Sequence, residues 1–447
     1  MKFFAGVRLL ISALILTGLG FGLQACSGGG GGTSTPAASW SGTKQLGLSA
    51  IAALCYSVAT DTNGNVYVTG EIGGGLDGNT LTGTTDFFVT KYDSTGVKQF
   101  TRQLGVSAKD TFGYSVATDA NGNVYVAGYT NGGLDGNTLT GTTDFFVTKY
   151  DSTGVKQFTR QLGVSTKDTF GNSVATDASG NVYVAGNTEG GLDGNTLTGT
   201  TDFFVTKYDS TGVKQFTRQL GVSASITYGT SVATDTTGNV YVAGYTSGGL
   251  DGNTLTGTRD FFVTKYDSTG VKQFTRQLGV SASATYGQSV TADASGNVYV
   301  SGNTAGGLDG NTLTGSRDFF VAKYNSTGVK QYTRQLGVSA TNTLGLSVVT
   351  DAIGNVYVAG YTNGGLDGNT LTGTTDFFVT KYDSTGVKQF TRQLGVSTKN
   401  TFAYSVATDA NGNVFLAGYT YGGLDGNTLT GTTDLFVTKY DSTGVKQ

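Results

Sequence analysis

The stretch Tyr150-Asp-Ser-Thr-Gly-Val-Lys-Gln157 recurs along the chain, with its Asp at 93, 151, 209, 267, 383 and 441 and Asn325 in the remaining copy. The interval is 58 residues each time. Repeats of roughly 20–50 residues mark solenoids and propellers, because one unit cannot bury its own apolar surface and stacked neighbours can. A slightly longer period suits four short strands with two long loops.

Within the second unit, Tyr114–Asp119 alternates in the manner of a strand, and Ala-Asn-Gly122 supplies a tight turn in which Gly takes positive φ. Asn123–Thr130 is the second strand, Asp144–Asp151 the third and Val155–Leu162 the fourth. The second and third strands are apolar on both faces (Val124, Tyr125, Val126; Phe145, Phe146, Val147), as expected of a sheet sandwiched between neighbours. The fourth carries Lys156 and Arg160, which suits an exposed outer edge. With 72 Gly and little helical periodicity, the chain is expected to be all-β.

The final unit stops at Val445-Lys446-Gln447, and the counterpart of Thr159–Gly163 stands near the start as Thr43-Lys-Gln-Leu-Gly47. Such a split serves a ring, whose two ends join in one sheet and remove the last unpaired edges. The expectation is a closed seven-bladed β-propeller over residues 40–447, four antiparallel strands per blade, with an N-terminal strand completing the last blade.

The units resemble the bacterial β-propeller repeat family called SBBP, through Gly122-Asn-Val-Tyr-Val-Ala-Gly-Tyr-Thr130 and Asp144-Phe-Phe-Val-Thr-Lys-Tyr-Asp-Ser-Thr-Gly154. The resemblance covers almost the whole repeat region and implies a secreted or surface-attached propeller, often a lipoprotein, commonly without an assigned role. The Gly-Gly-Leu-Asp-Gly-Asn-Thr-Leu-Thr-Gly insert between second and third strands departs from the family pattern.

Residues 1–25 read as a lipoprotein signal peptide: Lys2 and Arg8, then the apolar run from Leu9 to Leu23, then small residues before Cys26. Leu23-Gln24-Ala25-Cys26 looks like a lipobox, with Cys26 the site of lipidation and residues 26–39 a flexible Gly/Ser/Thr tether. Ser27 after the lipid-bearing Cys favours the outer membrane, its periplasmic or surface side left open. Cys55 is then the one remaining thiol, placed in a packed strand start, and no intrachain disulfide is expected.

A formal net charge of −3 indicates no nucleic-acid partner, and the protein is expected to be a monomer. There is no His to serve as base or ligand, and no nucleophile–base pairing stands out, so no enzyme, cofactor or metal site is expected. Asp119-Ala-Asn-Gly-Asn123 resembles part of a calcium loop, but Asp capping its own turn explains it more simply. Asp135-Gly-Asn137 is a type I′ turn signal, with Thr138–Gly141 expected to continue it as a small hairpin. Asp144 recurs in every unit and Asp151 in all but the one with Asn325, which suits a structural role. Arg259 and Arg317 replace Thr in two adjacent units and read as solvated exchanges.

Strand order places the second-to-third loop and the blade connection on one face, the tight turns on the other. The units differ from one another mostly on the long-loop face. At the first-strand start they hold Tyr56, Tyr114, Asn172, Thr230, Gln288, Leu346 and Tyr404. At the second-strand end lie Tyr129, Tyr245, Tyr361 and Tyr419, beside Glu71, Asn187 and Asn303, and Tyr421 follows two residues after Tyr419. This face is the candidate binding surface, its Tyr and Asn suited to a protein or glycan. The alternatives are a structural envelope or assembly protein without a dedicated pocket and, third, a glycan-active enzyme using Asp pairs.

Overall fold

In the computed structural model, residues 39–447 are described, and the alternation within each unit resolves into four antiparallel strands. Blade 2 runs Thr111–Thr118, Val124–Thr130, Asp144–Tyr150 and Lys156–Leu162, and the other blades repeat this at the sequence period. The first strand begins three residues earlier than its sequence pattern suggests. Thr111 N donates to Thr85 O of the preceding blade and its hydroxyl pairs with Thr130, which extends the ladder. The expected signal peptide, Cys26 and the expected tether up to residue 38 lie outside the described residues.

Seven four-stranded sheets form a closed all-β ring. First strands of successive blades are stapled around the axis: Val116 N donates to Ser57 Oγ and the Thr118 hydroxyl to Thr60 O. The same bonds cross from the last blade to the first, Val58 N to Ser405 Oγ and the Thr60 hydroxyl to Thr408 O. The seventh sheet combines Lys44–Leu46 with Asp434–Tyr440 in the register Lys44↔Val437, Gln45↔Phe436, Leu46↔Leu435. Lys446 bridges Tyr440, and Gly42 N donates to Gln447 O at 3.0 Å. Residues 446–447 and 42–46 therefore lie end to end in one composite strand. Gly42 occupies the register of Phe100, so a ring is missing there. Trp40 fills the space, buried and edge-on to Phe415 and Tyr92 at 5.3 and 6.1 Å.

Between blades the core is aromatic. Phe145 stacks on Phe204 of the next blade at 5.0 Å, and the pair repeats at six of the seven seams. At the seventh, Leu435 replaces the first Phe, and Trp40 and Cys55 join the cluster. Cys55 is fully buried, and that burial pushes its thiol up to about 12, leaving it inert at neutral pH.

The long insert takes a path that differs from the expectation. Leu134–Asn137 makes the predicted turn, with Asp135 at φ 54 and Gly136 at φ 80 and Asn137 N bonded to Leu134 O. No hairpin follows. Instead the insert runs along the fourth strand: Leu134 N donates to Gln161 Oε1, Asn137 Nδ2 to Thr159 O, and Asp135 pairs with Lys156. It returns to the buried Asp144, whose carboxylate accepts from Thr140 N, Gly141 N and Gln161 Nε2. A Cβ on Gly163 would sit 1.8 Å from that carboxylate, so only glycine fits. The outer edge is therefore covered rather than bare, which protects it from pairing with another sheet. Arg160 points sideways, donating from Nε to Gly212 O of the next blade at 2.7 Å.

Candidate functional site

A β-bulge decides which residues reach the axis. In every blade the register between first and second strands skips one residue, for example between Gly113 and Ser115 in blade 2. The skipped residue is Tyr56, Tyr114, Asn172, Thr230, Gln288, Leu346 or Tyr404, one of the registers at which the repeats differ. A bulged residue leaves the ladder and its side chain is re-aimed. All seven line one central cavity of about 910 Å³, joined by Tyr129, Tyr245 and Tyr361 from the second-strand ends.

Tyr419 and Tyr421 stand further out. Tyr419 stacks on Tyr404 at 5.2 Å with hydroxyls 3.0 Å apart, and the exposed Tyr421 lies edge-on to Tyr419. The insert contributes nothing to the lining, because it lies along the outer edge. The lining also includes Phe170, Tyr228, Tyr286 and Leu344, two residues before the bulge, and Asn187, Asn303, Asn342 and Arg317. The Phe, Tyr and Leu set was detectable, since that register too changes from blade to blade.

The wall is not uniform. Around blades 7, 1 and 2 it is aromatic: Tyr56 stacks on Tyr114 at 5.1 Å and meets Tyr404 edge-on, and Tyr114 stacks on Tyr129. Beside Tyr56, the Glu71 carboxyl is pushed up to about 7, chiefly by burial, against a hydrogen bond from the Tyr56 hydroxyl and with help from nearby Asp110. One Glu71 oxygen, Oε2, is buried without a partner. Around blades 3 to 5 the bulged residues are Asn172, Thr230 and Gln288, so amides and a hydroxyl stand among the rings of Phe170, Tyr228, Tyr245 and Tyr286. Asn172 Nδ2 donates to Asn187 Oδ1 and to Gly229 O, and the Thr230 hydroxyl donates to Gly287 O.

Arg259 and Arg317 are half-buried, not solvated as their sequence context suggests, and Arg317 lines this wall while Arg259 stands behind it. Arg259 Nη1 donates to the Tyr286 hydroxyl at 2.6 Å and Arg317 Nη1 to Asn303 Oδ1 at 3.0 Å. Both guanidiniums lie over the Tyr286 ring, 5.5 and 5.2 Å from its centroid. The partner that desolvates them comes 27 residues after Arg259 in the chain, which no local pattern reveals.

The recurring carboxylates are spent on the fold. Asp119 accepts from Asn121 N, Asn123 N, Asn123 Nδ2 and the Tyr125 hydroxyl. Asp151 accepts from Thr153 N and hydroxyl, Val155 N and Gln157 Nε2. Among the described residues no group of three or more His, Cys, Asp or Glu is arranged to hold a metal ion.

The repeat itself matches a family model, the Beta-propeller repeat SBBP, at residues 42–77, 99–135, 157–193, 215–251, 273–309, 331–367 and 389–425. The chain belongs to the SBBP family. Each match takes in the fourth strand of one unit and the first two of the next, and so crosses the bulge. A curated relative, regulatory protein FlaEY of Caulobacter vibrioides, is 26% identical over 424 residues, covering 83% of this chain. The SBBP chain spans 43% of that relative's length. Among the solved structures that align with this chain are two examples of low identity. The WD40 propeller domain of Doa1 has TM-score 0.46 at 9% identity over 88% of this chain and 95% of the other. A PL25 ulvan lyase, bound to its saccharide, has TM-score 0.46 at 14% identity over 89% and 96%. Neither bears on the site.

Proposed function

We propose that this SBBP propeller is a non-enzymatic binding module that takes a protein or glycan partner into its central cavity. The observation that carries the reading is the set of seven bulged side chains, each different in kind or setting, converging on one concavity while the rest of each blade repeats nearly verbatim. A volume near 910 Å³ with aromatic walls and a few placed polar groups is the usual form of a ligand site. A binding rather than catalytic role is supported by the lining: Tyr, Phe, Asn, Gln, Thr, Leu and one Arg, with the recurring Asp residues bonded to their own turns. The mutual stacking of Tyr56, Tyr114 and Tyr404 favours the alternative of a structural envelope protein whose cavity wall packs on itself.

Glycan and envelope-protein arrays probed with the chain and with Tyr114→Ala/Tyr404→Ala separate these readings. A binder lost in the double variant, with unchanged melting, is expected; blank arrays for both proteins favour the structural role.

We further propose that the protein is exported and held by a lipid on Cys26, on the outer membrane. The support is the lipobox-like Leu23–Cys26 after an apolar run that begins beyond Lys2 and Arg8. Cys26→Ser is expected to move the protein from the membrane to the soluble fraction.

A further inference from the structure

We infer that the cavity wall of blades 4 to 6 binds an anionic sugar, a carboxylate-bearing oligosaccharide, with Arg317 as the contact to the carboxylate and Arg259 as a positioning residue that fixes Tyr286. This rests on the binding reading and narrows it to one chemical class.

The argument begins with how arginine is used elsewhere in the ring. Arg160 and its five copies each donate Nε to a glycine carbonyl of the next blade and Nη1 to the preceding threonine carbonyl. They are staples. Arg259 and Arg317 stand on the opposite end of the strands and are used differently. Among the described residues each makes a single side-chain hydrogen bond, and neither is paired with a carboxylate. A guanidinium carries five N–H donors in a planar fork that matches a carboxylate, so most of this capacity remains for a ligand. Half-buried and held against the Tyr286 face, the two charges are partly desolvated, which strengthens their attraction for an anion.

The surroundings suit a sugar. Tyr245 and Tyr286 meet edge-on at 4.9 Å and present ring faces for the apolar side of a pyranose. Gln288, Asn303 and Asn342 supply amides for its hydroxyls. Across the ring, Asp110 and Asp168 place negative charge beside blades 1 to 3, although the exposed Lys109 and Lys167 stand next to them. An anion is thus drawn to one wall, with the remaining sugar rings directed over the tyrosines of blades 7, 1 and 2. A concave site of about 910 Å³ admits a short oligosaccharide more readily than a folded partner.

Calorimetric titration of the full chain with trigalacturonate, a neutral galactotriose and a hexaglutamate peptide tests this. Trigalacturonate is expected to bind most tightly and to weaken with added salt. Arg317→Thr should weaken it about ten- to a hundredfold, the loss of a charge-assisted contact. Arg317→Lys should lose less, and Tyr286→Phe should fall between, because it frees Arg259 while keeping the ring. Thr holds the Arg317 register in five other blades, so the Thr variant is expected to melt as the parent does. Equal binding of acidic and neutral trisaccharides, untouched by Arg317→Thr, overturns the anion assignment and leaves cavity binding standing. Preference for the peptide, or no binding of any probe, overturns the sugar class.

Discussion

The two ends of each blade are built on the same four strands yet obey different rules. At the turn end, Asp119 and Asp151 each accept several donors from their own turns, and the arrangement recurs from blade to blade. At the cavity end, the bulge frees one residue per blade from the ladder, and that residue is Tyr, Asn, Thr, Gln or Leu. A position held by several fixed donors keeps its carboxylate or the isosteric Asn325; a position freed from the ladder tolerates many side chains. The difference separates what holds the ring from what the ring presents.

The strongest way to break this comparison acts on closure. Deleting residues 40–47 removes the inner part of the composite strand, the buried Trp40, and the bond from Gly42 N to Gln447 O. Loss of a buried Trp alone costs about 3–5 kcal/mol, and the exposed edge of the last blade adds to it. Thermal unfolding should begin many degrees lower and lose cooperativity. An unchanged melting curve would show that the ring holds without its clasp.

A sharper contrast pairs Asp202→Ala with Gln288→Ala. Asp202 is fully buried and accepts from Thr198 N, Gly199 N and Gln219 Nε2. Truncation strands those donors, at about 2–4 kcal/mol. Gln288 faces the cavity from its bulge, and its truncation is expected to stay within about 0.5 kcal/mol. Urea denaturation measures both; equal losses would erase the distinction between a carboxylate with fixed partners and a side chain freed by the bulge.

Much of this was legible beforehand. The period, the alternation within Tyr114–Asp119 and the split fourth strand follow from local pattern and from alignment of the chain on itself, so blade number and closure could be read. The varying cavity positions could also be found, because repeats that agree elsewhere disagree there. What makes them point inward could not. The bulge leaves only a slight signature: a Gly precedes the freed residue in five blades, as Gly113 does Tyr114, but Gly128 stands mid-strand without one. The insert's path depends on Gln161 reaching Leu134 27 residues back, and the setting of Arg317 on Tyr286 of the same blade. These are contacts of the folded ring and leave no trace in a window of sequence.

Glu71 offers the smallest and most specific test, because it is a carboxylate placed where other blades carry Tyr or Asn. Its carboxyl is raised from an ordinary value of 4.5 to about 7, mainly by burial. Below pH 4.5 it is neutral in both folded and unfolded chains and costs nothing. As pH rises toward 7 the unfolded chain ionises first, so stability is lost across that window and stays lower above it. Glu71→Gln removes the ionisation. The variant should therefore gain on the order of 2 kcal/mol over the parent at pH 8, and the gap should close as pH falls to about 4.5. Paired melting curves across this range decide it. A gap that does not change with pH would mean that Glu71 is ionised freely in the folded ring, and that the cavity end tolerates a charge as readily as it tolerates a change of shape.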